Sequence, residues 1–482
     1  MRTTIFVMLC CLAVASLSEC GKDTSVEPPP PPQPPPPPPP PSAPTRVAFV
    51  AVPSRTEVGS VMAPGVQVAV QDQYGHTYPS DGVSVTVTLA ANGVGAVLTG
   101  TTTVSTAAGI AAFNDLRINR PSSNLTLTAT AAGLIDGSTT PFRIALTLRA
   151  ISAGGLHTCG LNITNHAWCW GNNVYGQVGD GTNTQALTPT LVSDSLTFLQ
   201  LSAGSEHNCA VGTDSVAYCW GRNADTKLGD GTSVDRNQPT PVSGGLKFVQ
   251  VSAGYDHSCG VTADSVAYCW GGNELGELGD STITPRATPT LVVGGIRFKQ
   301  ISANTHTCGV ASGGAAYCWG RDVEGQLGDG SPVYHRDAPT PVAGGLTFKM
   351  VSTGTFHTCG LTTAGSAYCW GEGYTAAPGS VSSLTFVQLD AGNSHTCGAA
   401  TANVGYCWGD NIYGKLGDGT EDAHPSPNPV SGGFGFTTLN AGSQHTCGIT
   451  TDQVSYCWGY NFYGSVGDGT VTLRRAPVPI VQ

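Results

Sequence analysis

Charge is scarce in this chain. Only 11% of its 482 residues are charged, Lys and Arg number 21 against 32 Asp and Glu, and no basic run occurs. A non-specific grip on nucleic acid or anionic lipid needs clustered Lys and Arg. With a net charge of −11, nucleic acid is not expected as a partner. Long apolar runs are missing too. The N-terminal one, residues 5–17, falls short of the roughly 20 residues that a membrane-spanning helix needs. Abundant Gly (64) and Pro (33) leave little room for long helices and favour strands joined by turns. Residues 45–147 contain no cysteine, so an inter-sheet disulfide is excluded there.

The first 19 residues read as an export signal, Arg2 followed by the apolar run. Leu17-Ser18-Glu19-Cys20 resembles the lipobox of bacterial lipoproteins, which implies acylation at Cys20. Glu19 stands where that box has a small residue, and plain secretion after Ser16 or Ser18 is the alternative. Any membrane attachment is expected through this anchor alone. Residues 20–44 form a linker in which 28–41 are proline except Gln33. Polyproline II rises about 3.1 Å per residue, so this is a stiff spacer of roughly 40 Å.

From 45 to 147 the texture changes. Val66, Val68 and Val70 alternate with other residues, as do Val83, Val85 and Val87, and Leu125 and Leu127, with turn signals between them. The pattern predicts an antiparallel β-sandwich. The stretches VQVAVQDQYGHTY and GIAAFNDLRIN resemble bacterial immunoglobulin-like domains of surface proteins. That resemblance implies a spacer or adhesive module.

Residues 148–482 repeat one unit seven times, with a period near fifty residues. Cys159, Cys209, Cys259, Cys308, Cys359, Cys397 and Cys447 are each followed ten residues on by Cys169, Cys219, Cys269, Cys318, Cys369, Cys407 and Cys457. Ser-Ala-Gly-x-x-His, Tyr-Cys-Trp-Gly and Leu-Gly-Asp-Gly-Thr recur in order. These motifs resemble the regulator of chromosome condensation repeats, which implies a seven-bladed β-propeller. No Trp-Asp signature of the other common propeller repeat is present. The chain is therefore read as all-β, a sandwich followed by a propeller.

The hairpin CGLTTAGSAYC turns at Ala364, which sets Cys359 opposite Cys369 within disulfide reach. Thr358 then faces Trp370 and Gly360 faces Tyr368, small residues beside large rings. His-x-Cys with a facing Cys also has the make-up of a zinc site. Export favours seven disulfides over seven metal sites. No metal and no cofactor are expected. The recurring histidine (His157, His207, His257, His306, His357, His395, His445) is read as structural. The loop aspartates Asp180, Asp230, Asp280, Asp329, Asp418 and Asp468 are read as tight turns, because calcium needs six or more oxygens.

Three functions compete. A surface-displayed protein-binding or adhesion module comes first, an envelope enzyme with a hydrolase-type propeller site second. Nucleotide exchange on a small GTPase, implied only by the family, comes last because that partner lies inside cells. Departures from the repeat at His335, Arg336 and Asp337 and at Glu421, Asp422 and His424 are the only candidates for chemistry, and the sialidase Asp-box is absent. No enzyme activity is expected. The expected location is the cell envelope, outer membrane included, or the exterior, and the expected state is a monomer. The binding surface is predicted on the side where the first and third turns emerge. Its anchors are Tyr255, Phe356, Tyr374, Tyr413, Tyr460, Phe462 and Tyr463, with Glu206, Asp256, Arg222 and Arg321 among them.

Overall fold

A computed structural model describes residues 43–90, 95–193 and 195–481. The export signal, Cys20 and the proline spacer lie outside the described residues. Within them there is no α-helix, only a single 3-10 turn at Ile412–Gly414. No helix of the described residues is long and apolar enough to cross a membrane.

The N-terminal module is built from small sheets around a valine-rich core. Arg46–Ala51, Val66–Gln71 and Ile110–Phe113 pair antiparallel, and Ser84–Leu89 lies between Leu127–Thr130 and Thr103–Ser105. Val66, Val68, Val70, Val85 and Val87 are all fully buried, as alternation on a half-buried strand requires. The Leu125–Leu127 pattern is divided between two strands. Ser122–Leu125 pairs with Phe142–Ala145, and Leu127–Thr130 crosses to the other sheet. Such a crossing ties two sheets at a corner. One pairing is parallel, Arg55–Glu57 with Phe142–Ala145.

Each repeat forms antiparallel strands in sequence order, such as Leu148–Ala153, His157–Asn162, Ala167–Gly171 and Ala186–Leu191. The predicted register holds: Cys359 faces Cys369, Thr358 faces Trp370 and Gly360 faces Tyr368. All seven cysteine pairs are disulfides within their own hairpins, with Cα–Cα distances of 4.0–4.2 Å. The two faces of a unit differ, since neighbours along a strand point opposite ways. Cys209, Val211, Ala217 and Cys219 pack under Phe248, Val251 and Trp270 of the following unit. Cys259 and Cys269 do the same beneath Phe298 and Trp319. Sulfur and aliphatic surface of one unit is thus covered by aromatic surface of the next.

The fifth unit lacks the long loop. Its fourth strand is the start of one thirteen-residue strand, Gly379–Ala391, whose end is the first strand of the sixth unit. Two units therefore share a seven-stranded sheet. The sheet survives, and a cavity of about 290 Å³ opens where the loop is missing, lined by Tyr374, Glu372, Asp410 and Pro425.

Candidate protein-binding face

The units close into a ring through three layers of hydrogen bonds. Nearest the axis, one side chain per unit accepts the backbone N–H of the next unit. Ser152 accepts from Ala203 at 2.9 Å, Ser202 from Ala253 at 3.0 Å, and Ser252 from Ala303 at 3.0 Å. Ser302 accepts from Thr353 at 3.1 Å and Ser352 from Ala391 at 2.9 Å. In the last two units the serine is replaced: Asp390 accepts from Ala441 at 2.8 Å, and Asn440 accepts from Ala153, which closes the ring. The turn glycines stand against the next unit's backbone. A Cβ on Gly392 would lie 2.3 Å from the Gly442 carbonyl oxygen.

The second layer is the histidine ring. His157 Nε2 meets Asn208 at 2.9 Å, His207 meets Ser258 at 2.8 Å, and so on to His445, which meets Thr158 at 2.7 Å. Thr158 donates its own hydroxyl to the Ser465 carbonyl, so it receives the His445 Nε2–H. Burial holds these imidazoles neutral, their pKa lowered to about 4 at His157 and His357 and to about 3 at His257, His306 and His445.

The third layer ties six of the indoles to the preceding unit's long loop. Trp170, Trp220, Trp270, Trp319, Trp370 and Trp458 donate Nε1–H to the carbonyls of Ser465, Gln177, Lys227, Glu277, Gln326 and Lys415 at 2.8–3.0 Å. The loops are themselves locked. Asp230 Oδ1 accepts the N–H of Thr232 at 2.9 Å while its Oδ2 meets Arg236 at 2.8 Å. Arg286, Arg336 and Arg474 hold Asp280, Asp329 and Asp468 alike, and His424 holds Asp418. Burial alone would raise these carboxyls. The Thr donors and the basic partners outweigh it and hold Asp230, Asp280, Asp418 and Asp468 below the usual carboxylate range.

First and third turns do emerge together. Asn172 N–H donates to Leu156, Arg222 to Glu206, Glu372 to Phe356 and Tyr460 to Gln444, all at 2.8–3.0 Å. On that side the predicted anchors fall into separate groups. Tyr413, Tyr460, Phe462 and Tyr463 make one aromatic patch across the sixth and seventh units. Tyr460 stands 5.0 Å from Tyr413, 4.9 Å from Phe462 and 6.3 Å from Tyr463. Phe462 is 57% exposed. Arg222 lies over Tyr175 and pairs with Glu206 at 2.5 Å. Arg321 lies over Phe356 and pairs with Glu324 at 2.6 Å. Tyr255, half exposed, and Asp256 share a cavity of about 390 Å³ with Arg321, Asp225 and Glu274. Asp256 also neutralises the buried Lys227 at 3.0 Å. Tyr374 stands apart from all of these, because its ring packs inward beside His357.

The carboxylates that break the repeat do not converge. Arg336 belongs to the Asp329 lock, His424 to the Asp418 lock, and Glu421 pairs with Arg475. Asp390 escaped the sequence reading. Its only signal there is Leu-Asp-Ala-Gly in place of a serine before Ala-Gly. Half-buried beside the axis, it also accepts from Ser352 Oγ at 2.9 Å, and desolvation lifts its pKa to about 7.

Two descriptions of the regulator of chromosome condensation (RCC1) repeat match the chain. One covers residues 165–211, 214–261, 313–361 and 406–449, the other 148–177, 248–277, 349–374 and 436–465. No curated protein matches the chain in sequence. Among solved structures, human WBSCR16 superposes with a TM-score of 0.59 at 20% identity, over 64% of this chain and 89% of that one. Yeast RCC1 (Prp20), solved bound to Kap60, gives 0.59 at 20% identity over 65% and 83%. Prp20p from Saccharomyces cerevisiae gives 0.55 at 20% over 63% and 83%.

Proposed function

The repeat region belongs to the RCC1 repeat family, and on that premise we propose that the chain is an exported, surface-anchored protein-binding or adhesion module acting through the loop face of its propeller. The observation that carries this reading is the patch of Tyr413, Tyr460, Phe462 and Tyr463 on a rigid scaffold. Aromatic anchors of this kind dominate protein interfaces, where a few truncations typically cost about 2 kcal/mol or more. Seven disulfides suit an oxidising compartment. Lipid anchoring at Cys20, the proline spacer and an immunoglobulin-like sandwich would then hold the face away from a membrane. Kap60 bound to the yeast neighbour is a property of that protein and names no partner here. Catalysis has less support, since Arg336, Glu421 and His424 of the non-repeat loop groups are each engaged in a separate ion pair.

The test uses the full exported chain, because Val58 of the sandwich shares one apolar cluster with Leu148 and Trp168 of the first unit. With a partner captured from envelope or medium, alanine at Tyr413, Phe462 or Phe356 should weaken binding about tenfold or more each. Asp264→Ala, on an exposed hairpin tip, should not. Thr262 on the same tip is buried and bonded to Asp264 and Val266, so it makes a poor control. Equal losses on both faces would remove the loop face as the site.

A further inference from the structure

Six units carry tyrosine just before the second cysteine, at Tyr218, Tyr268, Tyr317, Tyr368, Tyr406 and Tyr456; the first unit carries Trp168. That position is where the first unit meets the sandwich. Glu57 Oε1 accepts the Thr147 N–H at 2.8 Å, and Arg55 donates to the Thr147 hydroxyl at 3.2 Å, clamping the junction. Beside the clamp is a cavity of about 330 Å³. Ligand pockets begin at about 300 Å³, so this one has room for a single small ring.

Trp168 is 2% exposed, lines the cavity, and its Nε1 has no acceptor. The other indoles all donate, seven of the eight. A buried donor left unmade costs about 1–3 kcal/mol, a cost that the tyrosine of the other units does not incur. The cavity's remaining chemistry points the same way. Asn162 spends its carbonyl oxygen on Thr164 and His166, which leaves its amide nitrogen for an acceptor. Arg117 gives one N–H to the Gly59 carbonyl at 2.8 Å and keeps others. No Asp or Glu lines the space, while Val58, Leu191 and the indole supply apolar surface. Donors without carboxylates, beside apolar faces, fit a ring that carries acceptor oxygens.

We propose that the cavity between the sandwich and the first propeller unit binds one acidic pyranose residue of the uronic acid type, its hydroxyl oxygens facing Trp168 Nε1 and Asn162 and its carboxylate facing Arg117. The site lies at the hairpin-tip end of the first unit, by Thr164 and His166, and so does not depend on the loop face.

The experiment is ligand-observed saturation-transfer NMR on the full exported chain with glucuronate, galacturonate, glucose and acetate as probes. Transfer to a uronate is expected, with weaker binding of glucose and none of acetate. Trp168→Phe keeps an aromatic ring of the kind that six units tolerate and removes the donor. It should weaken uronate binding about tenfold without lowering the melting temperature. Arg117→Gln should erase the preference for uronate over glucose. No transfer from either uronate would mean the cavity holds solvent only and would overturn the proposal. So would acetate binding as well as the sugars, or unchanged affinity in Trp168→Phe.

Discussion

The Tyr374 hydroxyl accepts the indole N–H of Trp408 at 2.9 Å. In the six other units a loop carbonyl fills that role, and the fifth unit has no such loop to offer it. A side chain thus replaces the missing backbone. Trp408 is fully buried, so Tyr374→Phe leaves its N–H unpaired while filling nearly the same volume. A loss of about 1–3 kcal/mol is expected from urea unfolding. Unchanged stability would mean that the ring alone props the notch.

The axis sets the second expectation. At Gly392 the obstacle to a side chain is the Gly442 carbonyl of the next unit, and carbonyls held in a closed ring cannot retreat singly. Gly392→Ala should cost about 1–3 kcal/mol, the range for overpacking. Gly433→Ala is the wrong comparison because its φ is +66°; Gly313, with open space around it, is the right one. Gly313→Ala should be near neutral by the same assay.

How far the sequence revealed this depends on where each partner lies. The cysteine register was legible because hairpin symmetry places both partners within eleven residues. The histidines were legible as structural from recurrence, but the acceptors of six sit 39–52 residues away in the next unit, and that of His445 is Thr158, 287 residues away. Trp168 and Asp390 show in the sequence only as departures from the repeat, and what gives each meaning is a group on a neighbouring element. Tyr374 read as a surface anchor because it is large and follows the third turn. Its inward packing arises from the deleted loop, whose absence leaves Trp408 without an acceptor. The fused strand Gly379–Ala391 was illegible for a similar reason: its serines and glycine suggest a loop, and only pairing on both edges extends them.

Disulfide mapping supplies the third test. Digestion without reduction should release Cys159 linked to Cys169, and the same ten-residue pairing through Cys447 and Cys457. Replacing Cys359 and Cys369 by alanine together should cost up to about 3 kcal/mol in the chain-entropy picture. Free thiols in the oxidised, folded protein would contradict the covalent framework.

The last expectation concerns acid. The ring histidines bind protons in the unfolded chain near pH 6.5, but in the fold His157, His257, His306, His357 and His445 do so only near pH 3–4. Their folded pKa is depressed, so the stability they contribute is present above about pH 6.5 and lost as pH falls toward 4. Acid unfolding should therefore be steep, because several protons are taken up together. Asp390 opposes this. Its folded pKa is raised to about 7, against about 3.9 unfolded, so its contribution weakens as pH rises from about 4 to 7. Asn440 shows that an amide serves at the equivalent rung. Asp390→Asn should gain in stability relative to the wild type as pH rises from 5 to 8, where the wild type carries a desolvated carboxylate. Urea midpoints across pH 5–8 measure that difference. A difference between the two proteins that stays constant with pH would show that Asp390 does not titrate in this range.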